Sequence, residues 1–217
     1  MDSPQRKIYL VRHAESTWNS ERRVQGTCLD VPLSPTGRMQ AHRLGIRLRR
    51  LPVRTVYSSD AERAIETARC ALGDAYRIAM SAEIRELSLG EWEGRLIGDI
   101  RAETPQKLEA WYRNPSTVSL KGGEDLSAFR KRVVSYMEGI IGDPDAGDVA
   151  VITHGGVICM YLTHLLNMHM DDLWSFSLPN ASLTTVVLDF KPRLRSFGDT
   201  SHLDASALGL DGMPAPL

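Results

Sequence analysis

From Lys7 to Arg12 the chain reads Lys-Ile-Tyr-Leu-Val-Arg, a short run whose centre is wholly apolar. A run of that length suits a strand buried on both faces better than a helix. Thr55 to Ser58 and Val149 to Thr153 repeat the signal, and the stretches between carry apolar residues at helical spacing. Buried strands alternating with longer amphipathic helices are the rhythm of a mostly parallel sheet covered on both faces, so the pattern predicts an α/β fold. One helix opens with Ser34 as N-cap and Pro35 at its first position, runs to about Leu51 and is stopped by Pro52. Asp60 is read as the cap of the next helix. Its apolar stripe, Ala61, Ala64, Ile65, Ala68, Cys70, Ala71 and Leu72, ends at Gly73.

From Ser88 to Asp125 the pattern turns polar and irregular, broken by Pro105 and Pro115, with two short helices around Ile97 to Glu103 and Gln106 to Arg113. This reads as an insertion over a site, not a second domain. A longer helix follows Gly122-Gly123, with Leu126, Phe129, Val133, Val134, Met137 and Ile141 at helical spacing, and Ser182 to Phe190 alternates as a strand. Residues 1–203 therefore form one expected domain, and 204–217, rich in Ala, Gly and Pro, a loosely held tail.

Charge changes the picture only by exclusion. Lys plus Arg number 26 against 27 for Asp plus Glu, and a nucleic-acid binder usually shows a basic surplus. No stretch suits a signal peptide or a membrane span, which gives the expectation of a cytoplasmic protein with neither nucleic acid nor membrane as partner. Cys28, Cys70 and Cys159 are odd in number and widely spaced, so reduced thiols are expected, with Cys70 and Cys159 in apolar helix faces. A homodimer stays open, since no segment of the pattern locates an interface.

The chemistry sits at strand ends. Arg12-His13 closes the first apolar run, and His154-Gly155-Gly156 follows the third, which suggests one shared pocket. A neutral imidazole is a competent nucleophile, particularly where a backbone carbonyl fixes its other nitrogen as the donor, and Arg12 and His154 nearby disfavour the cationic form of His13. Such positive crowding suits a dianionic partner. Arg63, in the first turn after Ser58-Ser59-Asp60, brings a second guanidinium whose fork matches phosphoryl oxygens. Asn19, with Gln25-Gly26, offers neutral donors, and Gly155-Gly156 lets helix amides approach an anion. Glu86 completes the set as general acid, needing partial protonation at working pH, with Glu91 and Glu93 as rivals by proximity.

Taken together, Arg12-His13-Ala14-Glu15-Ser16 with Trp18-Asn19, Gln25-Gly26, Asp30 to Ser34 and Gly37 resembles the opening of the histidine phosphatase, or phosphoglycerate mutase-like, superfamily. Ser58-Ser59 with Arg63 and Thr67, Glu86 with Gly90, Trp92, Glu93 and Gly94, Gly122-Gly123-Glu124, His154-Gly155-Gly156, Pro179 to Ser182 and Ser201-His202-Leu203 continue the resemblance in order. Ala14 stands where the family usually has glycine. The resemblance implies a three-layer α/β/α sandwich and a small bacterial-type phosphatase. It makes His13 the transient phosphohistidine, Arg12, Arg63 and a protonated His154 the phosphoryl clamp, and Glu86 the proton donor and later base. Asn19 also touches the phosphoryl group, while Ser16, Gln25 and Gly26 sit at the rim. Neither metal nor organic cofactor is called for, and the products are inorganic phosphate and an alcohol.

A cofactor-dependent phosphoglycerate mutase is the alternative. Mutases of this family carry a tyrosine, a lysine and a paired arginine downstream of the acid, where this chain has Leu89, the neighbourhood of Ile97 and the single arginines Arg95, Arg101 and Arg113. The substrate is expected to be a small phosphorylated metabolite: a sugar phosphate, a phosphorylated glycolytic acid or phosphoserine, or a bulkier alcohol admitted by Leu89, Leu96 and Ile97. A non-catalytic phospholigand sensor and a metallohydrolase built on His13, Glu15 and His154 are the remaining rivals. His42, His164 and His169 are assigned to packing or surface. His202 is placed either near the pocket or as an anchor for the tail, Cys28 at the entrance or as an inert thiol, and Trp92, Trp111 and Trp174 as pocket walls or local packing.

Overall fold

The structure, a computed structural model, describes residues 5–204. Six strands, β1 (Arg6–Arg12), β2 (Val53–Ser59), β3 (Ile78–Ser81), β4 (Asp148–Thr153), β5 (Leu183–Leu188) and β6 (Arg193–Asp199), form one sheet in the order β3-β2-β4-β1-β5-β6. The first four strands in that order are parallel, and β5 and β6 run antiparallel at one side. Among the described residues seven α-helices accompany them: α1 (Thr17–Ser20), α2 (Pro35–Leu48), α3 (Glu62–Leu72), α4 (Ile97–Glu103), α5 (Pro105–Arg113), α6 (Leu126–Gly142) and α7 (Gly155–Leu165). None among the described residues is long and apolar enough to cross a membrane.

Side chains alternate across a strand, so each central strand feeds two cores. Ile8, Leu10, Val149 and Val151 pack with Phe129, Val133 and Met137 of α6 and Ile158 and Leu162 of α7. Tyr9, Val11, Ala150 and Ile152 pack on the other face with Leu44 and Leu48 of α2 and Ala64 and Ala68 of α3. These are the three layers. Burial of a large aliphatic side chain contributes roughly 1.5–3 kcal/mol, against about 0–1 for an exposed ion pair, so apolar packing holds the layers together.

Ser34 caps α2 as expected, its Oγ accepting from Gly37 N at 2.9 Å, but the helix ends at Leu48. Asp60 does not cap α3: Ala61 is the N-cap residue, without a side-chain bond, because Arg85 takes both Asp60 oxygens, at 2.7 and 2.5 Å. The stretch from Ser88 to Asp125 is built into the larger core through Trp92, Ile100, Leu108, Trp111 and Leu120. It is also tied to the loop after β1, where Val24 N donates to Arg95 O, Gly94 N to Val24 O and Ile97 N to Arg22 O. Of the tail expected over 204–217, everything from residue 205 lies outside the described residues.

Candidate active site

Strand register sets the chemistry. Arg12 of β1 pairs with Thr153 of β4, so the next residues, His13 and His154, leave the sheet side by side. Their rings lie 5.2 Å apart, edge to face. Ser58 of β2 pairs with Ile152, so Ser59 stands at the same sheet edge and its side chain reaches the His154 ring.

His13 is 3% exposed. Its N–H donates to Thr153 O at 2.8 Å, and its carbonyl accepts from Ala181 N and Asn180 Nδ2, each at 3.1 Å. Nδ1 lies 2.7 Å from Ala14 O and therefore carries the ring proton, leaving the Nε2 lone pair free. Burial, then Arg63 and Arg12, hold the imidazole well below its usual pKa of 6.5. This is the arrangement expected of a nucleophile.

His154 is fully buried, and its Nε2 lies 2.8 Å from Ser59 Oγ, which also accepts from Ala61 N at 3.3 Å. Where Ser59 donates to Nε2, the ring proton sits on Nδ1. Burial, Arg63, His13 and Arg12 push this imidazole well below 6.5 as well. The protonated His154 of the expected clamp therefore calls for the charge of a bound phosphoryl dianion to offset burial and its cationic neighbours.

Arg63 is 1% exposed, and Nη1 and Nη2 donate to Cys28 O at 2.6 Å and Gly26 O at 2.9 Å. Burial lowers its pKa to about 10, opposed by the charge of Glu86, so it stays cationic at neutral pH. Arg12 donates through Nη1 to Leu178 O and is lowered by burial against the same support from Glu86. Arg12 Nε, Arg63 Nε and His154 Nδ1 are buried with no partner among the described residues. Arg12, Arg63 and His154 all line one pocket, and two guanidinium groups with an imidazole suit an acceptor with several oxygens.

That pocket, about 240 Å³, is lined at its inner end by Arg12, His13, Asn19, Arg63, Glu86 and His154. Asn19 Oδ1 accepts from Ser16 N and Asn180 Nδ2, each at 3.1 Å, which leaves Asn19 Nδ2 as a donor. Glu86 accepts from Gly156 N at 3.0 Å through Oε2 and from Leu87 N at 3.0 Å through Oε1. Gly156 must be glycine for this contact, because a Cβ there would meet Glu86 Oε1 at 2.2 Å. Its rivals face elsewhere. Glu91 pairs with Lys107 at 2.5 Å, and Glu93 ties Thr27, Ser88 and Leu89 together.

Not every expected site residue reaches the pocket. Gln25 and Gly26 line it, but Ser16 is buried beneath, capping α1 and donating to Gln25 Oε1 at 2.8 Å. Gly155 lies against the Arg12 side chain, and the Gly156 amide serves the Glu86 carboxylate instead of a ligand anion. Glu15 accepts from Ser34 Oγ at 2.6 Å and so does not join the two histidines. No group of three His, Cys, Asp or Glu among the described residues is disposed to hold a metal ion. His202 is 2% exposed, bonds to Ala181 O at 2.9 Å and lies outside the pocket lining; the tail it was expected to anchor lies outside the described residues. Trp92, Trp111 and Trp174 all line the pocket, whereas Cys28 does not.

Sequence reasoning missed two contributors. Asn180, named only as part of a motif, orients both His13 and Asn19. Arg132, on α6, donates to the carbonyls of Glu83, Arg85 and Glu86 at 2.8, 2.9 and 3.0 Å and to both oxygens of Glu124 at 2.7 and 2.8 Å. It pins the segment that carries Glu86. Nothing local in the sequence marks an arginine 46 residues away as its support.

The family profile described as histidine phosphatase superfamily, branch 1, matches residues 8–200. Phosphoserine phosphatase 1 of Hydrogenobacter thermophilus is 32% identical over 185 residues, covering 84% of this chain and 87% of its own. The protein named Probable phosphoglycerate mutase GpmB of Yersinia pestis is 30% identical over 210 residues, covering 93% and 97%. Among solved structures, Bacillus stearothermophilus YhfR superposes with a TM-score of 0.85 at 31% identity, over 91% of this chain and 99% of that one.

Proposed function

The chain belongs to branch 1 of the histidine phosphatase superfamily, and we propose that it hydrolyses small phosphomonoesters through a phosphohistidine on His13, with Glu86 as general acid and then base. The observation that carries this reading is the free Nε2 of a neutral, rigidly held His13 facing two cationic guanidinium groups.

Glu86, a carboxylate in the free site, takes up a proton as the phosphoryl dianion binds beside it. In the first step Nε2 then attacks phosphorus in line, the bond to the alcohol oxygen breaks, and that proton passes from Glu86 to the oxygen. In the second, ionised Glu86 takes a proton from water, whose oxygen attacks phosphorus as the P–N bond breaks. Inorganic phosphate leaves, and both residues return to their starting forms. Arg12 Nε, Arg63 Nε, His154 Nδ1 and Asn19 Nδ2 supply donors to the equatorial oxygens, where charge is concentrated during transfer. Proton donation by Glu86 would contribute on the order of 10²–10⁴-fold. The scheme needs neither metal nor cofactor.

A mutase must retain a second acidic group of its substrate. Arg95, Arg101 and Arg113 are absent from the pocket lining, and Arg95 and Arg113 pair with Glu103 and Glu109 at 2.6 and 3.0 Å. Hydrolysis is therefore favoured over retransfer. The test is phosphate release from a panel of phosphorylated metabolites, phosphoserine included because one relative is named for it. 3-Phosphoglycerate with catalytic 2,3-bisphosphoglycerate is assayed in parallel for isomerisation. Release that His13→Ala abolishes is the expected result; isomerisation with little release would replace the phosphatase by the mutase.

A further inference from the structure

The phosphoryl group occupies the inner end of the pocket in the reading above, so the alcohol has to lie along the rest of it. That outer wall is built from Val24, Leu89, Ile97, Leu108 and the rings of Trp111 and Trp174, with Tyr112 at the mouth. The rings form one connected surface. Trp92 meets Trp111 edge-on at 6.0 Å, Trp111 meets Trp174 at 5.9 Å, and Trp174 meets Tyr112 at 6.3 Å. Trp111 is 6% exposed and Tyr112 is 49% exposed, so the surface runs from the core to solvent.

Charge is nearly absent from this wall. Among the described residues the only carboxylate lining the pocket is Glu86, at the phosphoryl end, so an ammonium on the alcohol would find no counter-ion. Beyond Arg12 and Arg63 the only guanidinium is Arg23. It already donates to Gly94 O and to Glu21, at 2.5 and 3.0 Å, and lies over Trp18. Gln25 Oε1 is taken by Ser16. Trp174 Nε1 is buried with no partner among the described residues. An ammonium there loses its hydration with no counter-ion, and a carboxylate meets only Arg23, already paired with Glu21, and the amide of Gln25, whereas a ring gains apolar contact along the wall.

We infer that the outer half of the pocket is a subsite for an uncharged, ring-bearing alcohol, and that phosphomonoesters of such alcohols are the preferred substrate class. The inference rests on the phosphatase reading but fails separately from it. The experiment compares kcat/KM for 2-phenylethyl phosphate, O-phosphoserine, 3-phosphoglycerate and glucose 6-phosphate, all esters of primary alcohols, so leaving-group chemistry does not decide the ranking. The expected result is a preference of about 100-fold or more for the phenylethyl ester, since even one methylene discriminates roughly 10- to 200-fold in a fitted pocket. Trp174→Ala and the half-exposed Tyr112→Ala should each reduce that ratio, the former about tenfold; Tyr112→Ala keeps the test usable if Trp174→Ala does not fold. A preference for any of the three polar esters, or a ratio unmoved in every folded variant, overturns the subsite and leaves the phosphatase standing. No hydrolysis of any ester overturns the phosphatase itself.

Discussion

Four hydrogen bonds hold His13, two at its carbonyl, one at its amide and one at Nδ1, and none of them uses Nε2. The nucleophile is thus defined by what its neighbours occupy. Its burial beside Arg63 and Arg12 displaces its titration downward, so nitrogen-resolved NMR of the free protein should show neutral His13 well below pH 6.5. A midpoint at 6.5 would contradict the packed, positively flanked ring, and Arg63→Gln should move the midpoint upward by removing one repelling charge. A second residue-scale test concerns the acid. Gly156→Ala would force Glu86 from its place, because the new Cβ and Oε1 cannot share 2.2 Å. Turnover of alkyl phosphates should fall roughly 100-fold or more, within the range of lost general-acid catalysis. 4-Nitrophenyl phosphate, whose leaving group needs little protonation, should lose far less. Equal losses on both would mean that Glu86 is not the acid.

At the scale of elements, what was legible was what sequence neighbours decide. β1 and β4 announced themselves as apolar runs, and the residues just past their ends carried the chemistry. β3 was invisible because it is a four-residue edge strand, half open to solvent. β6 did carry an alternating pattern, Arg-Leu-Arg-Ser-Phe, but charged residues on one face of an edge strand look like a loop. The misread cap at Asp60 and the unseen support of Glu86 have one cause: each depends on an arginine distant in sequence, Arg85 in one case and Arg132 in the other. Arg132 also stacks 4.7 Å over Phe129 of the same helix, and its bonds to the carbonyls of Glu83, Arg85 and Glu86 join α6 to the acid-bearing segment. Arg132→Ala strands Glu124 and three carbonyls, and should cost roughly 3 kcal/mol of stability. Arg132→Lys keeps the charge but loses the fork. A positioning role requires that it narrow the alkaline limb of the pH profile and depress alkyl-ester turnover more than aryl-ester turnover; a uniform loss would mark Arg132 as a general brace only.

Across the whole molecule the buried histidines make stability depend on pH in a way that the site's ligand should reverse. His13, His154 and His202 are all displaced below 6.5, with burial the first cause in each. Above pH 6.5 they are neutral whether the chain is folded or not, and their contribution is fully present. Below 6.5 the unfolded chain takes up protons that the folded one refuses, so stability falls as pH drops toward the folded values. The loss is about 1.4 kcal/mol per pH unit for each proton so taken up. Thermal melts from pH 7.5 to 5 should therefore decline. Inorganic phosphate at about 100 times its Kd adds about 2.7 kcal/mol; it also favours protons on the two histidines it faces, which flattens the decline. His202 bonds to Ala181 O away from the pocket, and its share should persist with phosphate present. A slope that phosphate leaves unchanged would mean that the anion does not sit between His13 and His154.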